Sequence, residues 1–264
     1  AESFLRDCPF VMYLGDNLLQ HGITPLVQEY RSLDCNSEIL LTKVPNPSQF
    51  GVAELSSEGR VVKLTEKPAQ PKSDLALVGV YMFDENIFDA AKAIKPSKRG
   101  ELEITDAIQW LLDHKFTVHP HIVNGWWKDT GKIEDMLEAN RTVLDTFDRI
   151  VRGKIEGTTS IEGKVVVEDG AQIVDSVVRG PSIIGAGARV THAYVGPYTS
   201  IGNGCVLENC EIENSIVLEN SMISSVEGRI EASLIGKNVK ITRTHRKPAA
   251  YRFMLGDNSE VGIT

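Results

Sequence analysis

The chain has 264 residues, 42% of them hydrophobic and 24% charged, with a net charge of −8. That composition suits a globular protein long enough to bury two cores. It offers no sustained basic run for nucleic acid, and its apolar stretches fall far short of the ~18 residues of a membrane span.

Ala1-Glu2-Ser3-Phe4-Leu5 lacks an initiator Met and reads as the middle of a helix running into the first strand, so a natural N-terminal portion is expected upstream. Phe10 to Asn17, Phe-Val-Met-Tyr-Leu-Gly-Asp-Asn, reads as a buried parallel strand delivering Asp16 at its carboxyl end, the edge where open α/β sheets bind ligands. Taken alone, Asp16-Asn17 reads first as a turn, since Asp and Asn bond their own backbone well there. Pro25 opens a helix from about Ile23, and Glu38 to Val44 is a second buried strand closed by Pro45 and Pro47. Phe50–Leu55 and Arg60–Thr65 flank Ser57-Glu58-Gly59 as a hairpin whose second arm runs into Glu66-Lys67-Pro68.

Asp74 to Asp84 is a further strand, interrupted by Gly79, where a missing side chain lets another group approach the backbone. Gly100 to Asp106 leads into a helix carrying Ile108, Leu111 and Leu112. Thr117 to Val123 is a strand, followed by Gly125-Trp126-Trp127-Lys128-Asp129-Thr130-Gly131 and a helix from about Ile133 to Arg149. Strands alternating with helices predict a layered α/β domain.

From Ile155 the chain becomes Gly-rich and aliphatic, with an aliphatic residue every five or six positions. Every third member falls in a column about seventeen residues apart: Ile161, Val178, Val195, Ile212 and Ile230 in one, and Val167, Ile184, Ile201, Val217 and Ile235 in another. A three-sided coil with one inward aliphatic residue per side accounts for both periods, which makes this half a hexapeptide-repeat parallel β-helix. Cys8, Cys35, Cys205 and Cys210 form no Cys-x-x-Cys and no paired Cys/His spacing. They point away from a zinc site and towards reduced thiols in a cytoplasmic protein.

Six stretches, in order, resemble the sugar-1-phosphate nucleotidyltransferases. They are Leu14-Gly15-Asp16-Asn17, Phe50-Gly51-Val52, Glu66-Lys67-Pro68, Gly79-Val80-Tyr81, Gly100-Glu101-Leu102-Glu103-Ile104-Thr105-Asp106 and Trp127-Lys128-Asp129-Thr130-Gly131. With the repeat and the closing Gly256-Asp257-Asn258-Ser259, the chain resembles in particular the long-form glucose-1-phosphate thymidylyltransferases, which carry a C-terminal left-handed β-helix. The resemblance implies an incomplete, Rossmann-like α/β nucleotidyltransferase domain over 1–150 and a left-handed parallel β-helix over 151–264.

It also implies transfer of a nucleotidyl group from dTTP to glucose 1-phosphate with release of pyrophosphate. In such a reaction the protein positions reactants and neutralises developing charge. Asp16 and Asp129 are, by the same resemblance, the carboxylates that hold Mg²⁺, an ion suited to one or two carboxylates plus substrate phosphates. Lys67 is the catalytic cation on the sugar phosphate, Glu66 an acceptor for sugar hydroxyls, and Gly51, Gly79, Tyr81 and Thr105 line the pocket. Read without the family, Asp129 serves equally as a helix N-cap, and Glu66-Lys67 as an exposed pair at a strand end.

Two departures from the family are Phe50, where relatives often have Tyr, and Lys128, where Leu or Arg is common. The family's Gly-rich loop with its catalytic Arg lies well upstream of the Asp16 motif and has no counterpart here. Gly185-Ala186-Gly187-Ala188-Arg189 imitates it but falls in the β-helix register. The expectation is therefore that this chain is inactive by itself. Three other readings remain: UDP- or ADP-glucose synthesis, acetyl transfer with His192 as general base, and an assembly or regulatory β-helix. Helices of this kind commonly pack into homo-oligomers, trimers above all.

Overall fold

Two long apolar strands, β3 (Ser37–Lys43) and β6 (Leu75–Phe83), form the middle of a mixed sheet because both their faces are covered. In a computed structural model describing residues 2–243 and 259–262, the sheet order is β5-β4-β6-β3-β7. Here β4 is Gly51–Leu55, β5 is Val61–Glu66 and β7 is Val118–Ile122. β3 and β7 run parallel, while the β4–β5, β4–β6 and β3–β6 pairs are antiparallel. The expected hairpin, the interrupted strand and the strand after Phe116 are all present.

Alternation along the strands sorts the core into two layers. On one face Leu40, Val78, Val80 and Met82 pack with Leu26 and Tyr30 of helix α2 (Thr24–Ser32). On the other, Ile39, Leu41, Tyr81 and Phe83 pack with α3 (Asn86–Ala93) and α4 (Ile104–Asp113) through Ile87, Ala90, Ala107 and Ile108. The sequence reading passes over α3. Its start depends on the side chain of Asp84, whose Oδ1 accepts the Asn86 amide at 2.9 Å.

The opening strand differs from expectation. Helix α1 (Glu2–Leu5) precedes β1 (Phe10–Tyr13), which lies antiparallel to β6 and is at most half-buried. It is not a buried parallel strand. Asp16 follows in a turn, and β2 (Asn17–Leu19) then pairs antiparallel with β8 (Trp127–Asp129) in a separate two-stranded ladder. Helix α5 (Ile133–Asp145) ends before reaching Arg149. The chain forms two compact units divided between Asp135 and Met136, inside α5.

The second unit is a parallel β-helix of three sheets with five or six short strands each. Both predicted columns are in register: Ile161 pairs with Val178, Val178 with Val195, Val195 with Ile212, and Ile212 with Ile230. Val167, Ile184, Ile201, Val217 and Ile235 do the same on the next side. Ile173, Val190, Leu207 and Ile223 complete the third side, so that the columns merge into one continuous apolar core. Asn140, on the part of α5 that belongs to this unit, donates to the Tyr198 carbonyl at 2.9 Å and accepts from Ser200 Oγ at 2.6 Å. Gly256-Asp257-Asn258 lie outside the described residues. No helix among the described residues is long and apolar enough to cross a membrane.

Candidate active site

Asp16 and Asp129 meet because the β2–β8 ladder sets Asn17 opposite Asp129. Thr130 strengthens the join: its amide and its hydroxyl both donate to the Asp16 carbonyl at 2.8 Å. Burial, then the charge of Asp16, pushes the proton affinity of the Asp129 carboxyl above its ordinary value, and the Gly131 amide at 3.2 Å from Oδ1 opposes this. Two carboxylates held together at such a cost form an acidic pair that a divalent cation relieves.

A buried amide sets this pair, and sequence reasoning missed it. Asn17, only 4% exposed, donates from Nδ2 to Asp16 Oδ1 at 2.8 Å. Its Oδ1 accepts the Gly79 amide at 2.9 Å and the Trp127 indole N–H at 2.7 Å. Those donors fix the amide's orientation, and with it the carboxylate's. The glycine at 79 has its reason here: a Cβ would lie 2.6 Å from Asn17 Nδ2. The neighbour admitted to the backbone is thus an amide of the same chain.

A second cluster forms where β4 and β5 meet α4. Thr105, 1% exposed, donates to Glu66 Oε2 at 3.0 Å. Gly51 pairs with Glu66, and a Cβ at Gly51 would stand 2.5 Å from Thr105 Cγ2 and 3.1 Å from Glu66 Oε2. Arg99, which the motif reading did not single out, lies 3.5 Å from Glu66 Oε1 and 3.5 Å from Glu103. Tyr81 is 4% exposed, stacked on Phe83 within the core; burial, then the nearby charge of Glu66, pushes its phenol well above the usual range. Its ring is therefore core packing.

Lys67 is exposed, with a positive φ of 37° and an amide donating to the Phe50 carbonyl at 3.0 Å. Its ammonium makes no ion pair among the described residues. The Phe50 ring meets Trp127 edge-on with centroids 5.5 Å apart. A chain of contacts thus joins the clusters: Lys67 to Phe50, Phe50 to Trp127, Trp127 to Asn17, and Asn17 to Asp16. Phe50 lacks a hydroxyl but fills the gap between them.

The protein-family model described as "Nucleotidyl transferase" matches residues 1–146, more than half of the chain. The chain belongs to the nucleotidyl transferase family. It is 50% identical over 264 residues to "Glucose-1-phosphate thymidylyltransferase" of Streptomyces griseus, all of this chain and 74% of that protein. The protein of the same name from Streptomyces antibioticus matches at the same identity and coverage. "Low-salt glycan biosynthesis nucleotidyltransferase Agl11" of Haloferax volcanii is 45% identical over 266 residues, again all of this chain and 74% of that protein.

In this nucleotidyl transferase the β-helix residues singled out from sequence have structural explanations. Ala186 donates its amide to Glu168 Oε2 at 3.0 Å and to Asn203 Oδ1 at 2.9 Å, and Arg189 begins a ladder strand, so Gly185–Arg189 is a coil turn. His192 is exposed with φ 48°, between Asp175 at 45° and Asn209 at 48° in the same column of left-handed turn residues. A small polar side chain tolerates that conformation best, and His is among those enriched there.

Proposed function

We propose that the natural protein transfers a nucleotidyl group from dTTP to glucose 1-phosphate, giving dTDP-glucose and pyrophosphate. The names of the 50% identical relatives support the reaction, and the Asp16–Asp129 pair carries the assignment of the site. Mg²⁺ fits the all-oxygen donor set of these two carboxylates, and when bound it would offset the charge of the substrate phosphates. Asn17 holds the Asp16 carboxylate ready for that ion without reorganisation at the moment of binding.

Lys67, an exposed cation just past β5 with no ion pair among the described residues, neutralises the sugar phosphate whose oxygen attacks the α-phosphorus. Glu66, oriented by Thr105 and Arg99, retains lone pairs to accept sugar hydroxyls. Gly51 and Gly79 act by the space they leave, Gly51 for the Thr105–Glu66 bond and Gly79 for Asn17. Tyr81 lies in the core close enough to Glu66 to feel its charge, and lines the pocket from that side.

The test is a panel of dTTP, UTP and ATP with glucose 1-phosphate on the natural protein, followed by pyrophosphate release. Mg²⁺-dependent turnover with dTTP preferred is expected; preference for UTP or ATP overturns the choice of base. Lys67→Ala should raise the KM for glucose 1-phosphate and lower kcat, by about 100-fold together in kcat/KM. Unchanged kinetics would remove Lys67 from the site.

A further inference from the structure

Strand β3 carries an anomaly on the face covered by α2. Alternation puts Glu38 on the same side as Leu40, and its antiparallel partner is Met82, both part of the apolar layer under Leu26 and Tyr30. Glu38 is completely buried, and neither carboxylate oxygen has a hydrogen-bond partner among the described residues. A carboxylate in such a place is costly unless something positive meets it.

Three more side chains converge on it from two other elements. The parallel pairing of β3 with β7 sets His119 opposite Glu38, and His121 follows two residues on, on the same face. His121 Nδ1 lies 2.9 Å from Glu29 Oε2 on α2 and 3.8 Å from Glu38 Oε1. His119 Nε2 lies 3.6 Å from Glu29 Oε1. One donor atom each from Glu29, Glu38 and His121 fall within 4.8 Å of one another, the one group of three or more such donors found among the described residues. Metal–ligand bonds of about 2.0–2.2 Å put the ligands of one tetrahedral ion roughly 3–4 Å apart, a spacing that side-chain shifts of under about 1 Å from the present arrangement reach. Mixed imidazole and carboxylate donors select zinc and its first-row neighbours over Mg²⁺.

We propose that Glu29, Glu38 and His121 hold a divalent transition-metal ion of the zinc class. The ion is structural: it ties α2 to β3 and β7 and gives the buried Glu38 its positive partner. Burial, then the charge of Glu29, pushes the Glu38 carboxyl up to about 7. The site uses none of the residues assigned to nucleotidyl transfer.

The natural protein, purified without a histidine tag and stripped with chelator, should bind one Zn²⁺ per chain in equilibrium dialysis against excess Mg²⁺. Co²⁺ in its place should give the visible absorption of a four-coordinate ion. Glu38→Gln and His121→Asn should each weaken Zn²⁺ binding at least ~10-fold, since even outer-shell replacements cost that much. The double variant Asp16→Asn, Asp129→Asn should leave it unchanged. Glu38→Gln keeps the shape of the buried side chain; should it fail to fold, His121→Asn, at a partly exposed position, decides. No bound Zn²⁺, binding unaffected by the folded variants, or binding lost with the Asp16–Asp129 pair would each overturn the proposal.

Discussion

Asn17 shows how much one buried amide can organise. Its oxygen serves donors 62 and 110 residues away, and its nitrogen aims Asp16. Asn17→Ala leaves the Gly79 amide and the Trp127 indole without their acceptor, so urea unfolding should show a loss of about 1–3 kcal/mol. Mg²⁺-dependent turnover should fall as well, because the Asp16 carboxylate loses its fixed orientation. Asp129→Asn should separate these effects. It removes a repulsion, so stability without metal should rise by roughly a few tenths of a kcal/mol after solvent screening, while turnover drops. A loss of stability in that variant would show that Asp16 and Asp129 do not oppose each other.

The cysteines form a second residue-scale test. Cys8 is exposed, whereas Cys205 and Cys210 are buried in the β-helix core, and burial pushes the Cys210 thiol up to about 11. A thiol rather than a thiolate is unreactive. Iodoacetamide should therefore modify Cys8 in the native protein, and Cys205 and Cys210 only after denaturation, as mass spectrometry would read directly.

At the scale of elements, the β-helix distributes its stability unevenly along its axis. Ile201 is 1% exposed with a stacked neighbour on either side, Ile184 before it and Val217 after it. Ile201→Ala should cost about 2–5 kcal/mol. Ile155, in the first coil, is 37% exposed and has a partner on one side, Ile173, among the described residues. The same truncation there should cost well under half as much, and equal losses in thermal melts would contradict a core built by stacking.

This asymmetry follows from a pattern visible in the sequence, because the repeat is local and each side chain's environment recurs every coil. The α/β unit is different. Asp16, Glu66 and Asp129 can be found as motifs, yet the turn-like look of Asp16-Asn17 hides a strand partner more than a hundred residues on. The assumption of a parallel β1 failed for the same reason: the pairing partner, β6, is set by tertiary contact and leaves no mark on Phe10–Tyr13. Glu38 reads as the polar start of an apolar run, and only the fold brings Glu29 and His121 to it.

At the scale of the whole molecule, each unit has its own apolar core. All three tryptophans, Trp110, Trp126 and Trp127, belong to the first unit. Tryptophan fluorescence therefore follows the unfolding of that unit, while far-UV circular dichroism follows both. The two curves should not coincide in urea, since separate cores seldom share one cooperative transition. Superimposable curves would mean that the two units unfold together.

The stacked ladders have a further consequence, for how this chain can change its length. Ile173 faces Val190, which faces Leu207, so every inward aliphatic residue of these coils has a counterpart of similar character one coil away. Removing a whole seventeen-residue coil leaves three continuous stripes and a shorter rod. A residue lost inside a strand turns over the side chains that follow it in that strand, whereas the turns absorb such changes: Ile201 to Val217 spans 16 residues and Ile212 to Ile230 spans 18, with the columns still in register. The number of coils is thus quantised, and single-residue changes in length should fall in the turns between strands.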